Sequence, residues 1–465
     1  MRKGNSVPSS NAGVSVVEII LRILRRVTRK GDYIRFIILI ACIFTIFSCA
    51  TKVEMVERKN QTRIARVFSN FESEFKFNGS VLIYFNDKII INKSYGYADE
   101  EFGIKNITET KFMIGSYTKQ FTAAAIMLLD EEGKLSIEDS LNLYIPDFPI
   151  GRSIKIKHLL NHTSGLPREA DYRFIINTIP ESYVNENILP VITDEAILQD
   201  FFGKYELRKG VYVLKKTVSE TEAFNLAYLL FSLGFDFDDK TDSITKGVLK
   251  TVKNFKLRRI NPGINYRYSN LGYMILGLII EKASGIRYED FITSRIFYPL
   301  NMVRSGFNFD PANSTGFAQA WYQNENGKRH KITKRVNGYL WPGSAGMLYS
   351  TVNDINIWLN GISFILKETS IKKMYEGYVN SNVLDSKYGY GYFISRRKIK
   401  GTDRLSVWHD GRIYNYRSLV SVFPDDNLRV IILSNSLNNN SIYYWPYIIA
   451  DILLNISENE EENEM

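Results

Sequence analysis

The sequence predicts an α/β (α+β) fold: one antiparallel sheet built from both ends of the chain's body, flanked by helices, with an all-helical lobe inserted between. Two observations carry this. Runs of β-branched and aromatic residues cluster at 79–99 and again at 388–435, whereas residues from about 116 to 300 follow mostly helical periods. The chain also has the apolar content for a large core, with 45% of its 465 residues hydrophobic and 13% aromatic.

The N-terminus differs in character from the rest of the chain. Residues 1–35 hold eight Lys/Arg against Glu18 and Asp32, so most of the net charge of +9 sits there. Thirteen apolar or small residues come next, Phe36 to Ser48, ending at Cys49. A basic flank and a short apolar core form the pattern of an export signal, and the core is too short for an ordinary spanning helix of about 20 residues. Cys49 stands where a bacterial lipoprotein signal places its lipidated cysteine; an uncleaved signal anchor is the alternative. Either version puts residues 63–455 outside the cytoplasm and tethered to a membrane through residues 1–62. Within the tether, residues 14–30 carry apolar and arginine-rich helical faces suited to an anionic membrane surface or to a long signal flank.

The first strands, GSVLIYFNDKIIINKSYGYAD, break at Asn86-Asp87, a two-residue hairpin signal. A helix is expected from Ser116 to Glu132, closed by Gly133, and another from Asn270 to Ser284, closed by Gly285. Strands return at 388–394, 404–409, 417–424 and 428–435, the last two joined across Asp425-Asp426-Asn427. Residues of about 168–256 show no sustained period and read as an insertion lying over the cleft as a lid or wall. Residues 456–465 form an acidic tail.

Composition excludes several functions. The body carries a net charge of only +3 and no basic run interleaved with aromatics, which argues against nucleic acid as a partner. Both cysteines, Cys42 and Cys49, precede the body, so it has no thiolate nucleophile or thiolate metal site. His158 and His162 have ligand spacing, but HLLNH lacks the glutamate and third ligand of a hydrolytic zinc site. No metal and no cofactor is expected.

Ser116 and Lys119 lie three apart at a helix start, so they share a face and the amine can reach the hydroxyl. The same four-residue spacing recurs at Ser73, Ser243, Ser370 and Ser395, so only context singles out Ser116. That context is Tyr268-Ser269-Asn270 opening a helix and His409-Asp410-Gly411 ending a strand, in that order. With these motifs and the segments HLLNHTSGLP, YSNLGYMILGLIIEKASG, IFYPLNM, AGMLYSTVNDINIWL and LVSVFPDDNLRVIILSN, the chain resembles the serine β-lactamase and penicillin-recognising superfamily, nearest its class C β-lactamases, DD-peptidases and esterases.

The resemblance implies an acyl-enzyme hydrolase in a β-lactamase/transpeptidase-like fold. Ser116 would be the nucleophile, Lys119 and Tyr268 its proton-transfer partners, with the order between them open. Asn270 would contact the substrate amide, and the backbone amides of Ser116 and Arg412 would form the oxyanion hole. Gly411 would clear the strand edge for substrate. His409 stands where relatives carry a lysine facing a substrate carboxylate; an imidazole titrating near 6.5 would bind that group weakly at neutral pH. The family often has glycine at the position of Asn415, which implies left-handed backbone there. The expected substrate is a small molecule or peptide, cell-wall peptide included, cleaved at an amide, peptide, β-lactam or ester bond. A catalytically silent penicillin-binding or sensor module is the alternative.

Overall fold

A computed structural model describes residues 77–168, 178–190, 195–219, 261–307, 316–319, 321–323, 329–331, 343–436 and 440–454, with a few single positions besides. The N-terminal basic and apolar segments, Cys49 and the acidic tail lie outside the described residues. Among the described residues no helix is long and apolar enough to cross a membrane, and no group of three or more His, Cys, Asp or Glu is placed to hold a metal ion.

The main sheet has eight strands: β1 (Gly79–Phe85), β2 (Lys88–Tyr95), β3 (Val379–Asn380), β4 (Lys387–Tyr388), β5 (Phe393–Ile399), β6 (Thr402–Ile413), β7 (Tyr416–Phe423) and β8 (Leu428–Ser434). Their spatial order is β3-β4-β5-β6-β7-β8-β1-β2, with every ladder antiparallel. β1 and β2 turn at Asn86 and Asp87, both with positive φ, which is the twist a tight hairpin requires. β1 pairs on its other edge with β8, from Gly79↔Ser434 to Phe85↔Leu428, so the two ends of the body close one sheet.

Both faces of that sheet are covered. Leu82, Val407, Val420, Ile431 and Leu433 belong to a core shared with the helices α1 (Lys119–Glu131), α2 (Asn270–Ser284) and α3 (Val352–Ile365). Val81, Ile83, Trp408, Leu419, Val430 and Ile432 belong to a second core completed by Trp445, Ile449 and Leu453 of α4 (Trp445–Leu454). Continuous apolar strands such as LRVIILS are what burial on two faces demands. α2 has the expected bounds: the Ser269 hydroxyl caps it by accepting from Gly272 N–H at 2.9 Å, and Gly285 ends it at φ +73°.

Within the segment 168–256, expected to lie over the cleft as a lid or wall, the described residues 178–190 and 195–219 take part in the core. Thr178–Pro180, Val211–Leu214 and Tyr205–Arg208 form a small antiparallel sheet of their own. Ile179, Val184, Ile188, Phe201, Tyr205 and Leu214 are buried in the same core as α1 and α2. The apolar residues of these described stretches are spread over short elements, so no single period runs long enough to read.

One contact joins the helical lobe to the sheet where the site forms. The chain turns through Gly115 at φ +54° into a tight 3₁₀ turn, Gly115–Thr118, that runs on into α1. A Cβ on Gly115 would lie 2.6 Å from the backbone nitrogen of Arg412, and a Cβ on Gly411 would lie 1.9 Å from the Ile114 carbonyl oxygen and 2.4 Å from Ser418 Oγ. Backbone thus meets backbone with no room for a methyl group on either side. Gly411→Ala should therefore cost at least about 2 kcal/mol in chemical denaturation. Gly203→Ala, in a helix with open space around the new methyl, should instead stabilise by about 0.5–1 kcal/mol.

Candidate active site

The 3₁₀ turn and α1 put Ser116 at the surface of a cleft and Lys119 beneath it, fully buried. Lys119 Nζ donates to Ser116 Oγ at 3.1 Å, to Asn270 Oδ1 at 2.8 Å and to the Ala345 carbonyl at 2.7 Å. Three acceptors from three separate segments match the three N–H bonds of an ammonium. The rings of Tyr268 and Tyr273 lie 5.0 and 5.4 Å from the same nitrogen.

Tyr268 is held between cations, with the Arg168 guanidinium also 5.2 Å from its ring centre. Burial nevertheless pushes its phenol well above the ordinary value, against a hydrogen bond to Ser116 that favours the phenolate. The hydroxyl is therefore protonated at neutral pH. Ser116 thus stands between a lysine that donates to it and a phenol that contacts it.

The loop carrying Tyr268 is fixed by the HTSGLP segment. Gly263 N–H donates to the Thr163 carbonyl at 2.8 Å, Arg267 N–H to the His162 carbonyl at 2.8 Å, and Asn270 N–H to the Arg168 carbonyl at 2.7 Å. His162 itself, with φ +59°, accepts the Ser269 N–H at Nδ1 and packs its ring 4.2 Å from that of Tyr268. Burial keeps this imidazole neutral, its pKa well below the usual value. The HTSGLP loop is thus the template on which Tyr268 and Asn270 sit. His158 lies apart from it in role, its Nδ1 accepting from Lys155 N–H.

The β5–β6 ladder ends at the pair Phe393↔Trp408, so the β6 residues His409 to Ile413 run on past the end of β5 beside Ser116. Gly411 lies against the Ile114–Gly115 turn, and the Arg412 backbone comes next to Gly115. The cleft has a volume of about 890 Å³, and its lining includes Ser116, Tyr268, Asn270, Asp410 and Arg412.

Two expectations about side chains need correction. His409 is not among the residues lining the cleft; it is 1% exposed, with Tyr388 Oη 3.0 Å from Nε2 and the Asp410 carbonyl against Nδ1. Burial lowers its pKa to about 4, with Asp410 opposing and Lys119 assisting, so the imidazole is neutral where a titrating, substrate-facing group was expected. Its neighbours explain the difference: β6 alternates, and position 409 points with Gly411 toward the helical lobe. The second correction concerns Asn415, whose backbone is not left-handed; Tyr414, at φ +51°, takes that geometry. Asn415 is buried instead, its Nδ2 donating to the carbonyls of Gln319 and Asn435.

Comparison with known proteins agrees with this architecture. The family model described as Beta-lactamase matches residues 68–202 and 226–452. Protein flp of Staphylococcus aureus is 24% identical over 396 residues, covering 80% of this chain and 61% of its own, so the chain spans about three fifths of that relative. Penicillin-binding protein 4* of Bacillus subtilis is 25% identical over 395 residues, covering 82% and 73%. Among solved structures, the octameric penicillin-binding protein homologue from Pyrococcus abyssi superposes with a TM-score of 0.62 at 25% identity, covering 84% of this chain and 77% of the other. A class C β-lactamase shares the fold, with a TM-score of 0.60 at 15% identity over 86% and 97%. With a family match over most of the sequence, the chain belongs to the beta-lactamase family.

Proposed function

We propose that this protein is a serine hydrolase that forms an acyl-enzyme on Ser116 and cleaves an amide, peptide, β-lactam or ester bond. The observation that supports it most is the hydrogen bond of 3.1 Å between buried Lys119 Nζ and Ser116 Oγ on the wall of an open cleft. In this reading the Lys119–Tyr268 pair first loses one proton to solvent, and it then takes the Ser116 proton as the Ser116 oxygen attacks the substrate carbonyl. Negative charge then develops on the carbonyl oxygen, which the N–H groups of Ser116 and Arg412 receive; such a donor typically contributes about 2.7–4 kcal/mol to the barrier. The close approach of Gly115 to the Arg412 nitrogen supports that pairing of amides. Tyr268, kept protonated by burial, hands its proton to the leaving group, and water then hydrolyses the ester on Ser116. Asn270 holds Lys119 and reaches the cleft, so it orients both amine and substrate.

The D-amino acid amidase from Ochrobactrum anthropi shares the fold, with a TM-score of 0.57 at 19% identity. That fold houses both an amidase and a β-lactamase, so the bond cleaved here is decided by the cleft and not by the nucleophile. The protein is further proposed to be exported and held to a membrane through residues 1–62, by a lipid on Cys49 or by an uncleaved anchor.

Ser116→Ala should abolish covalent labelling by a fluorophosphonate or penicillin probe while far-ultraviolet circular dichroism stays unchanged; persistent labelling would remove Ser116 as nucleophile. Lys119→Ala should slow acylation at least about a hundredfold in stopped-flow measurements with an aryl ester. Fatty-acid labelling of the cell-expressed protein should disappear in Cys49→Ser if the lipid version holds, whereas an intact N-terminus by mass spectrometry favours the anchor. His409, with a folded pKa of about 4, is neutral throughout pH 5.5–8, and its charged form appears only as pH falls toward that value. The ratio of KM values for a carboxylated substrate and its neutral methyl ester should therefore stay constant between pH 5.5 and 8. A ratio that changes near pH 6.5 would show that the imidazole is exposed and charged in the working enzyme.

A further inference from the structure

The HTSGLP segment runs on into Arg168, which meets the Tyr268 loop twice. Its carbonyl accepts the N–H groups of Asn270 at 2.7 Å and Leu271 at 3.3 Å, so the backbone at 168 holds the start of α2. Its side chain, exposed and part of the cleft lining, places the guanidinium carbon 5.2 Å from the centre of the Tyr268 ring. A planar cation so placed is attracted to the ring and also favours negative charge on the phenol oxygen. The other neighbours of Tyr268 come from several elements. Lys119 Nζ on α1 lies 5.0 Å from the ring centre, and the rings of His162, Tyr388 and His409 lie 4.2, 6.4 and 6.4 Å away. Asp410 on β6 and Tyr266 on the same loop act on the phenol as well. Burial keeps both imidazoles neutral and the phenols of Tyr266 and Tyr388 protonated. The charges facing the ring are therefore Lys119 from beneath the cleft, Arg168 from its exposed side, and Asp410 of opposite sign. Lys119 shares the protons that must come and go, whereas a guanidinium keeps its charge at every working pH.

We infer that Arg168 is a positioning residue for the Lys119–Tyr268 pair: its guanidinium steadies the Tyr268 ring beside Ser116 and supplies the fixed positive charge under which the pair releases a proton. The inference rests on the hydrolase reading above. The pair starts as ammonium and phenol and gives one proton to solvent, becoming either amine and phenol or ammonium and phenolate. It regains a proton from Ser116 as the Ser116 oxygen bonds to the substrate carbonyl carbon. A neighbouring cation favours both deprotonated forms over the doubly protonated one, whichever group the proton leaves. Arg168 thus sets the pH at which the site becomes competent and takes no part in bond breaking itself. Because its carbonyl does the work of holding α2, exchanging the side chain leaves that support in place. Arg267, Arg412 and Arg417, which also line the cleft, stay unchanged in every variant below.

The test measures the acylation rate of the full chain by a neutral aryl ester in stopped flow across pH, for wild type, Arg168→Met and Arg168→Lys. Methionine keeps an apolar stem without the charge, and lysine keeps the charge without the planar fork. In Arg168→Met the rising limb of the rate against pH should move up by about half a unit to one unit. Acylation well below the midpoint then falls about three- to tenfold, while the high-pH plateau changes less than about threefold. Arg168→Lys should recover most of the shift. Salt at about 1 M should shrink the difference between wild type and Arg168→Met, because an exposed charge is screened. A uniform loss at every pH with the limb unmoved would show that the side chain only packs, and would overturn the inference while the hydrolase reading stands. A limb displaced equally in Arg168→Lys and Arg168→Met would overturn the charge role in the same way. Wild-type protein that forms no acyl-enzyme dependent on Ser116 would defeat the hydrolase reading and the inference with it.

Discussion

The packing of the Ile114–Gly115 turn on β6 is the constraint on which the site depends. Gly115 and Gly411 let two backbones meet at distances that any side chain would prevent. Ser418 strengthens the seam, its hydroxyl donating to the Ile114 carbonyl at 2.7 Å. Because the turn leads straight into α1, fixing it on the strand also fixes the first turn of the helix, and with it the Ser116 and Lys119 side chains. Oriented peptide groups are held here by packing before any substrate arrives, which is the condition under which they stabilise a developing charge most.

Lys119 then ties the remaining parts together. Its three acceptors come from residues 116, 270 and 345, distant in sequence, so a single buried amine reports whether the lobe is correctly assembled. Burying a charge with all of its donors satisfied avoids most of the desolvation penalty that an unpaired ammonium would meet. The neighbouring aromatic and imidazole groups, Tyr268, Tyr273, His162 and Tyr388, are kept neutral by burial, so the local field is governed by lysine, arginines and Asp410.

Much of this was legible in the sequence because the governing signals are local or come in order. The Asn86-Asp87 hairpin, the helix from Asn270 to Ser284 with its serine cap and glycine stop, and the Ser116–Lys119 spacing each depend on a few adjacent residues. What escaped depends on contacts across the chain. Whether position 409 faces the cleft or the lobe is set by the register of β6 against β7, and a register is not visible in one strand. The left-handed residue near the end of β6 was misplaced by one, from Tyr414 to Asn415, because propensity for that geometry is weaker than the tertiary contacts that hold Asn415. Residues 178–190 and 195–219 give no sign of core membership in the sequence because their buried residues sit on elements too short to show a period.

The pairing of β1 with β8 has a consequence for synthesis. Residues 79–85 and 428–434 are separated by about three quarters of the chain, and between them lie Ser116, Lys119, Tyr268 and Asn270. A ribosome has therefore made all the reacting side chains before it makes the strand that closes the sheet. Until β6 is made the growing polypeptide has a nucleophile with no strand for its turn to rest on, and the sheet that carries the site closes later still, with the pairing of β8 on β1.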